Sequence, residues 1–392
     1  MFIKERRYTL LHYLCGSLPA RLGDEMSGQA MLLLGLAVTG SAAAGSALLA
    51  ALTFSAALGG PLLGAILDRS KTPGVVLATA LGTYAAGIGL VMLLVVHGQL
   101  WAAVVTAFAA GFLMPAISGG WSSQLKSFIP SKRMTRASAI DATTFNLAGL
   151  VGPALAGLVA GWLGAPWALA VLLALLIAAL PMALRLPVQR KQMVRQHTFF
   201  QDLLAGFAVI IRNKLLFRIT LLSAVSYMGI GMLWVVCPLV GMMVWGNAGF
   251  GGIMMSVLSV GALIATAAYA KWPTRYSPDV VAFMSTFVLA VAMLVLAVAG
   301  DAWLVLAAML IAGLADGPQL AAVFAVRHRE APERSRGQVF TTGASLKITA
   351  AAIGAAVAGQ LAGRSLSFVI LFAGILHVVA ALAFLAVRPK LC

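Results

Sequence analysis

Along the chain, apolar runs of about 20 or more residues alternate with short polar punctuation, and that pattern predicts the elements. A hydrocarbon core of about 30 Å takes about 20 apolar residues per helix. Twelve runs reach that length: 8–37, 44–67, 74–96, 99–124, 136–162, 166–185, 217–245, 249–270, 279–299, 302–326, 337–361 and 366–387. A membrane β-barrel would instead alternate apolar and polar positions in segments of about 10 residues, so the pattern excludes it. The fold class it predicts is an all-α membrane protein with twelve transmembrane helices. The longest polar interruption, "RLPVQRKQMVRQHTFFQD" at 185–202, separates six spans from six. Beyond it Phe199, Phe200, Leu203, Leu204, Phe207, Ile210 and Ile211 recur at helical spacing, which predicts an interfacial amphipathic helix leading into span 7. The expected organisation is an N-terminal six-helix bundle (1–186), a cytoplasmic linker with that helix (187–214) and a C-terminal six-helix bundle (215–392).

The two halves match each other at an offset of 202 residues. Gly98 pairs with Gly300, Trp101 with Trp303, Gly111 with Gly313, Pro130 with Pro332, Gly152 with Gly354 and Gly157 with Gly359. A register kept without gaps across these pairs argues for duplication. Parallel six-span repeats, related by an axis along the membrane normal, are one of the transporter plans.

Composition agrees with burial in lipid. The chain is 61% hydrophobic and 10% charged, with a mean hydropathy of +1.00, whereas soluble chains are about 25% charged. The net charge of +16 does not indicate nucleic acid, because 24 of the 27 Lys and Arg fall on one side of the predicted topology. This is the positive-inside pattern, and it places both termini in the cytoplasm. Only Arg364 lies in an opposite-side loop, and Arg21 and Lys347 lie within spans. The first apolar run is too long for a cleaved signal peptide. Cys15, Cys237 and Cys392 have neither disulfide nor metal spacing. No HExxH, phosphate-cradling loop or His/Cys/Asp metal set is present, so neither enzyme chemistry, cofactor nor metal is expected, and transport would draw on an ion gradient. Short loops and a bare linker fit the inner or plasma membrane of a bacterium. The duplicated halves form a complete unit, which makes a monomer the expected state.

The candidate chemistry is the charge left inside the membrane. In "PARLGDEMSG" Arg21, Asp24 and Glu25 interrupt span 1; Asp24 lies about 24 Å along the helix from Tyr8 and about 21 Å from Val38. A charge at that depth costs about 2.5–3.5 kcal/mol and normally faces a cavity or a partner. Arg21 reaches Asp24 and Glu25 at helical spacing. Asp316, in "GLADGPQL", is the second embedded acid, and Gly317 and Pro318 predict a helix interruption that would free carbonyls beside it. Lys347 is either its counter-ion or an independent anion contact. At the 202 offset Asp316 faces Met114 and Lys347 faces Phe145, so these charges break the repeat and are not owed to duplicated packing. Gln29, Asn146, Tyr227, Met228 and Trp234 are candidates to line a cavity. Asp141 is expected as a first-turn dipole partner of span 5, and His377 as a packing residue.

Several motifs resemble those of the major facilitator superfamily. In "GAILDRSKTP", Gly64, Asp68 and Arg69 are similar to the family's G-x-x-x-D-R loop, although Lys71, Thr72 and Pro73 replace its usual continuation. The resemblance implies a gating latch there, and Asp68, at a helix C-terminus, needs a cationic or N-terminal partner. Gly152, Pro153 and Gly157 of "NLAGLVGPALAG" resemble the Gly-Pro segment of the family's exporters, and "GD" at 23–24 and "SRGQV" at 335–339 resemble the drug-efflux branch of macrolide and siderophore exporters. The span 4 arginine of that branch is missing. The resemblance implies a cavity lined by spans 1, 4, 7 and 10, and a secondary-active, proton-coupled exporter of hydrophobic small molecules working by alternating access. The embedded acids favour a cation, whereas Arg21 and Lys347 oppose one. Export of an anionic metabolite or siderophore, nutrient import, and a transporter-shaped sensor or lipid-handling protein stay open. The partners implied are the bilayer, a small solute and protons, with no nucleic acid.

Overall fold

The structure, a computed structural model, describes residues 9–39, 42–188, 207–246, 250–272, 275–361 and 365–386. The fold is carried by α1 (Leu10–Thr39), α2 (Ala42–Arg69), α3 (Pro73–Val96), α4 (Leu100–Gly111), α5 (Met134–Leu163), α6 (Ala165–Leu184), α7 (Lys214–Trp245), α8 (Phe250–Lys271), α9 (Pro278–Val298), α10 (Ala302–Glu330), α11 (Arg336–Leu361) and α12 (Leu366–Ala386). Among the described residues 11 helical stretches are long and apolar enough to cross a membrane. The twelfth span is α1, 30 residues long and interrupted by three charges. The chain is a multi-pass, all-helical membrane protein. Most of the linker, and the expected interfacial helix up to residue 206, lie outside the described residues, as do Arg364 and both extreme termini; 207–212 are helical.

Helices are the natural outcome, since backbone groups in lipid must be satisfied within the segment. Their ends follow ordinary capping chemistry. Asn213 accepts from the backbone N–H groups of Leu215 and Leu216 at the start of α7, and Asp301 accepts from those of Trp303 and Leu304 at the start of α10. Gly164 and Gly246, with φ of 99° and 69°, end α5 and α7.

The chain forms two compact units. Among the described residues the first comprises those within Met1–Ala137, Val151–Leu204 and Glu333–Thr342, and the second those within Ser138–Leu150, Ala205–Pro332 and Gly343–Cys392. In the first unit α1 packs on α6 and α2, α2 on α4, and α3 on α4 and α6. In the second unit α7 packs on α12 and α8, α8 on α10, and α9 on α10 and α12. The pairings correspond one by one, and each unit encloses its own apolar core.

The repeat seen in the sequence is a repeat of contacts. A Cβ at Gly111 would run into the Leu52 carbonyl oxygen on α2, and one at Gly313 into the Leu258 carbonyl oxygen on α8. Gly152 meets α1 at Glu25 and Met26, and Gly354 meets α7 at Met228. Pro130 and Pro332 each lead into a 3-10 turn, Ser131–Arg133 and Glu333–Ser335, before a long helix. Trp101 and Trp303, 83% and 82% exposed in the first turns of α4 and α10, sit where aromatic side chains anchor helices at the lipid–water boundary.

The expected break in span 10 is absent. α10 runs unbroken through Asp316, Gly317 and Pro318; Gly317 lies against the Ala262 carbonyl and the Thr266 hydroxyl of α8, so the helix is supported where Pro318 removes a donor. The interruption falls at the corresponding place in the other half. α4 ends at Gly111, and after Pro115 the chain makes a π-helical turn, Ala116–Gly120, before Trp121–Gln124. That turn brings Gly119 against the Phe340 backbone of α11.

Candidate functional site

In the first unit, α1 carries the charged group. Arg21 is buried, and its Nη2 donates to the Tyr13 hydroxyl at 3.3 Å and to Ser122 Oγ at 3.0 Å. The Asp24 carboxylate, half-buried, accepts from the Tyr84 hydroxyl of α3 at 3.4 Å. Ser27 Oγ donates to the Asp24 carbonyl at 2.6 Å, which draws a third polar residue to this level of the helix. Glu25 is exposed, and its Cβ stands 2.8 Å from where a Cβ on Gly152 would lie; only glycine admits α5 this close to the acid. Gln29 is half-buried one turn beyond Glu25. Gly157 faces open space, so the Gly-Pro segment is tight at Gly152 but not at Gly157.

The Asp68 loop meets a helix N-terminus. Asp68 Oδ1 accepts from the Gly337 N–H at 2.7 Å and Oδ2 from the Gln338 N–H at 2.8 Å, so one carboxylate satisfies two free donors in the first turn of α11. Gly64, one turn earlier, lies directly against Gln338 and Thr341. All these residues belong to the first compact unit. Arg69 is half-buried at the end of α2.

In the second unit Lys347 of α11 lies over Tyr227 of α7, its Nζ 3.9 Å from the ring centroid, and Asp316 of α10 feels its charge. Tyr227 meets Trp234 edge-on with centroids 6.2 Å apart; Met228, beside Tyr227, is half-buried. Asn146 belongs to the same unit but is bound to α8, donating to Thr266 Oγ1 at 2.7 Å and the Ala262 carbonyl at 3.4 Å. Asp141 is the eighth residue of α5 and fully buried. It is therefore not a first-turn dipole partner: α5 begins at Met134, two turns earlier.

One buried network had no place in the sequence reading. Gln319 Nε2 donates to Ser226 Oγ at 3.0 Å and Thr286 Oγ1 at 2.6 Å, and Ser226 Oγ lies 2.9 Å from His377 Nδ1. It joins α7, α9, α10 and α12 inside the second unit. The 202 offset holds the signal that finds it: Ser226 stands at the position of Asp24 and Thr286 at that of Tyr84. The first unit thus has an acid and a phenol where the second has two hydroxyls bridged by an amide. Among the described residues no three His, Cys, Asp or Glu side chains gather as a metal site would require.

Twelve spans in two repeated bundles, with charges embedded where the repeat is broken, define a membrane transporter and not an enzyme. The chain belongs to the major facilitator superfamily, whose family model matches residues 13–246. It is 27% identical over 302 residues to an uncharacterized MFS-type transporter, y4rN, of Sinorhizobium fredii, covering 69% of this chain and 67% of that one. A bacterial homologue of the iron transporter ferroportin, in its outward-facing state, is similar at a TM-score of 0.80 and 15% identity, covering 96% and 98% of the two chains. The human organic anion transporter MFSD10 (TETRAN) is similar at 0.76 and 14%, covering 98% and 100%. The E. coli fucose:proton symporter FucP is similar at 0.74 and 14%, again covering 98% and 100%. At these identities the likeness to solved structures is one of fold.

Proposed function

We propose that this transporter is a secondary-active, proton-coupled exporter of hydrophobic small molecules, cations among them, of the drug-efflux type. It works by alternating access as a monomer in a bacterial inner or plasma membrane, with both termini in the cytoplasm. The observation that carries this reading is the pair of embedded acids, Asp24 beside Tyr84 and Asp316 under the charge of Lys347. Neither acid has a counterpart in the other half, so neither is needed for the repeated packing. Burial disfavours an ionised carboxylate, and a nearby cation or hydrogen-bond donor favours it. An acid whose neighbours change as the protein alternates therefore binds a proton in one state and releases it in the other. Asp68 on the first turn of α11 serves as the latch of that motion.

Lys347 and the buried Arg21 support a second reading, export of an anionic metabolite or siderophore or import of an anionic nutrient. A transporter-shaped sensor or lipid-handling protein would turn over no solute. Accumulation of a fluorescent lipophilic cation in energised cells tests the proposal at matched expression. Wild type should lower accumulation, a protonophore should abolish the difference, and Asp24→Asn or Asp316→Asn should lose it. Cells with wild type that match empty cells for the cation, yet exclude an anionic dye, would move the assignment to the second reading.

A further inference from the structure

Lys347 stands in the middle of α11, at a position where the first half has Phe145. The other two members of its group are equally unrepeated: Tyr227 stands at the position of Glu25 and Asp316 at that of Met114. The second unit therefore differs from the first at all three positions, where it has an aromatic ring, a carboxylate and an ammonium. The ammonium is 3.9 Å above the Tyr227 ring centroid, within the range of a cation–π contact, and is close enough to act on the Asp316 charge. Trp234, 47% exposed, meets the Tyr227 ring edge-on and extends the aromatic wall. An aromatic face that already holds one ammonium, with an acid near enough for its charge to be felt there, is the chemistry that recognises an organic ammonium.

We propose that Lys347 is a tethered cation: its ammonium fills a site, built by Tyr227 and Asp316 within the second unit, that takes the head group of a small organic ammonium solute. The inference rests on the reading of this transporter as a carrier of cations, and it removes the objection that a lysine beside the acid should repel them. The lysine stem is long and flexible, so the ammonium can swing away and leave ring and carboxylate to the solute. With no solute bound, the lysine keeps the acid compensated, as a group at that depth requires. Lys347 is thus a competitor that sets the threshold concentration for binding.

The test is isothermal titration of the purified full-length protein with n-hexylammonium and with n-hexanesulfonate, which share a tail and differ in charge. Lys347→Met keeps the length of the side chain and removes the charge. It should bind n-hexylammonium about tenfold more tightly than wild type, with no gain for the sulfonate. Adding Tyr227→Leu should abolish the gain, and adding Tyr227→Phe should retain it. If Lys347→Met does not elute as a monodisperse protein, Lys347→Gln takes its place with the same expectation. Unchanged n-hexylammonium affinity, or a loss of n-hexanesulfonate binding, overturns the inference and makes Lys347 an anion contact. These titrations involve neither Asp24 nor a proton gradient, so their failure leaves the efflux assay intact, and the failure of efflux leaves the titrations intact.

Discussion

Gln319 gives one amide to two hydroxyls on two different helices, and Ser226 passes the contact on to His377. A polar group in lipid-buried protein persists when its partners are present, and each such bond contributes about 1 kcal/mol in membrane proteins. Gln319→Leu removes the bridge between Ser226 and Thr286, which keep His377 and the Ala282 carbonyl as their other partners, and should destabilise the folded protein by about 1 kcal/mol. The midpoint of thermal unfolding in detergent reads this; an unchanged midpoint would mean that water replaces the amide. Gln319→Leu combined with Thr286→Val should cost less than the sum of the two single changes, because the pair shares a bond. Asp24 and Tyr84 pose the same question at the matching position of the first unit. Tyr84→Phe, which removes only the hydroxyl, should reduce cation efflux severalfold without lowering expression, and full activity would detach Tyr84 from the coupling site.

Between helices, packing is decided by where backbones touch. Gly111 and Gly313 admit a neighbouring carbonyl, whereas Gly157 and Gly359 face open space. Gly111→Val and Gly313→Val should each abolish monodisperse protein, and Gly157→Ala and Gly359→Ala should be tolerated; equal behaviour of the two sets would mean that the contacts do not govern packing. Asp68 is an element-scale feature as well, since both its oxygens are spent on the first turn of α11. Asp68→Asn keeps one acceptor and loses the charge, so its transport rate should fall between wild type and Asp68→Ala. An Asp68→Ala protein as active as wild type would remove the latch. Spans were legible from hydropathy because apolar length is a local property. The partner of Asp68 was legible only as a need, since the α2 sequence says that a carboxylate at a helix C-terminus requires a donor and not which helix supplies it. The break was misplaced for a related reason: Pro318 and Pro115 read alike in sequence, but Gly317 packs on α8, whereas the turn after Pro115 presents Gly119 to α11. Only the neighbouring helix distinguishes them.

Across the whole molecule, duplication accounts for the helix pairings, the glycine contacts, the turns after Pro130 and Pro332, and the tryptophans at the start of α4 and α10. It does not account for Asp24, Asp316, Lys347 or the Gln319 network, which differ between the halves at matched positions. The repeat is legible in glycines, prolines and tryptophans that keep one register between the halves; the network is not, because Ser226, Thr286 and Gln319 stand opposite Asp24, Tyr84 and Ile117 and leave no match to find. Shared features build the two bundles, and under the proposed function the unshared ones carry the specific chemistry. Purified protein in liposomes loaded with a pH-sensitive dye tests that division. An imposed gradient of a lipophilic cation should drive counter-movement of protons in wild type, and Asp24→Asn or Asp316→Asn should uncouple the two flows while the protein remains folded. Proton movement that persists in both variants, or that never accompanies the cation in wild type, would mean that neither acid couples transport to protons.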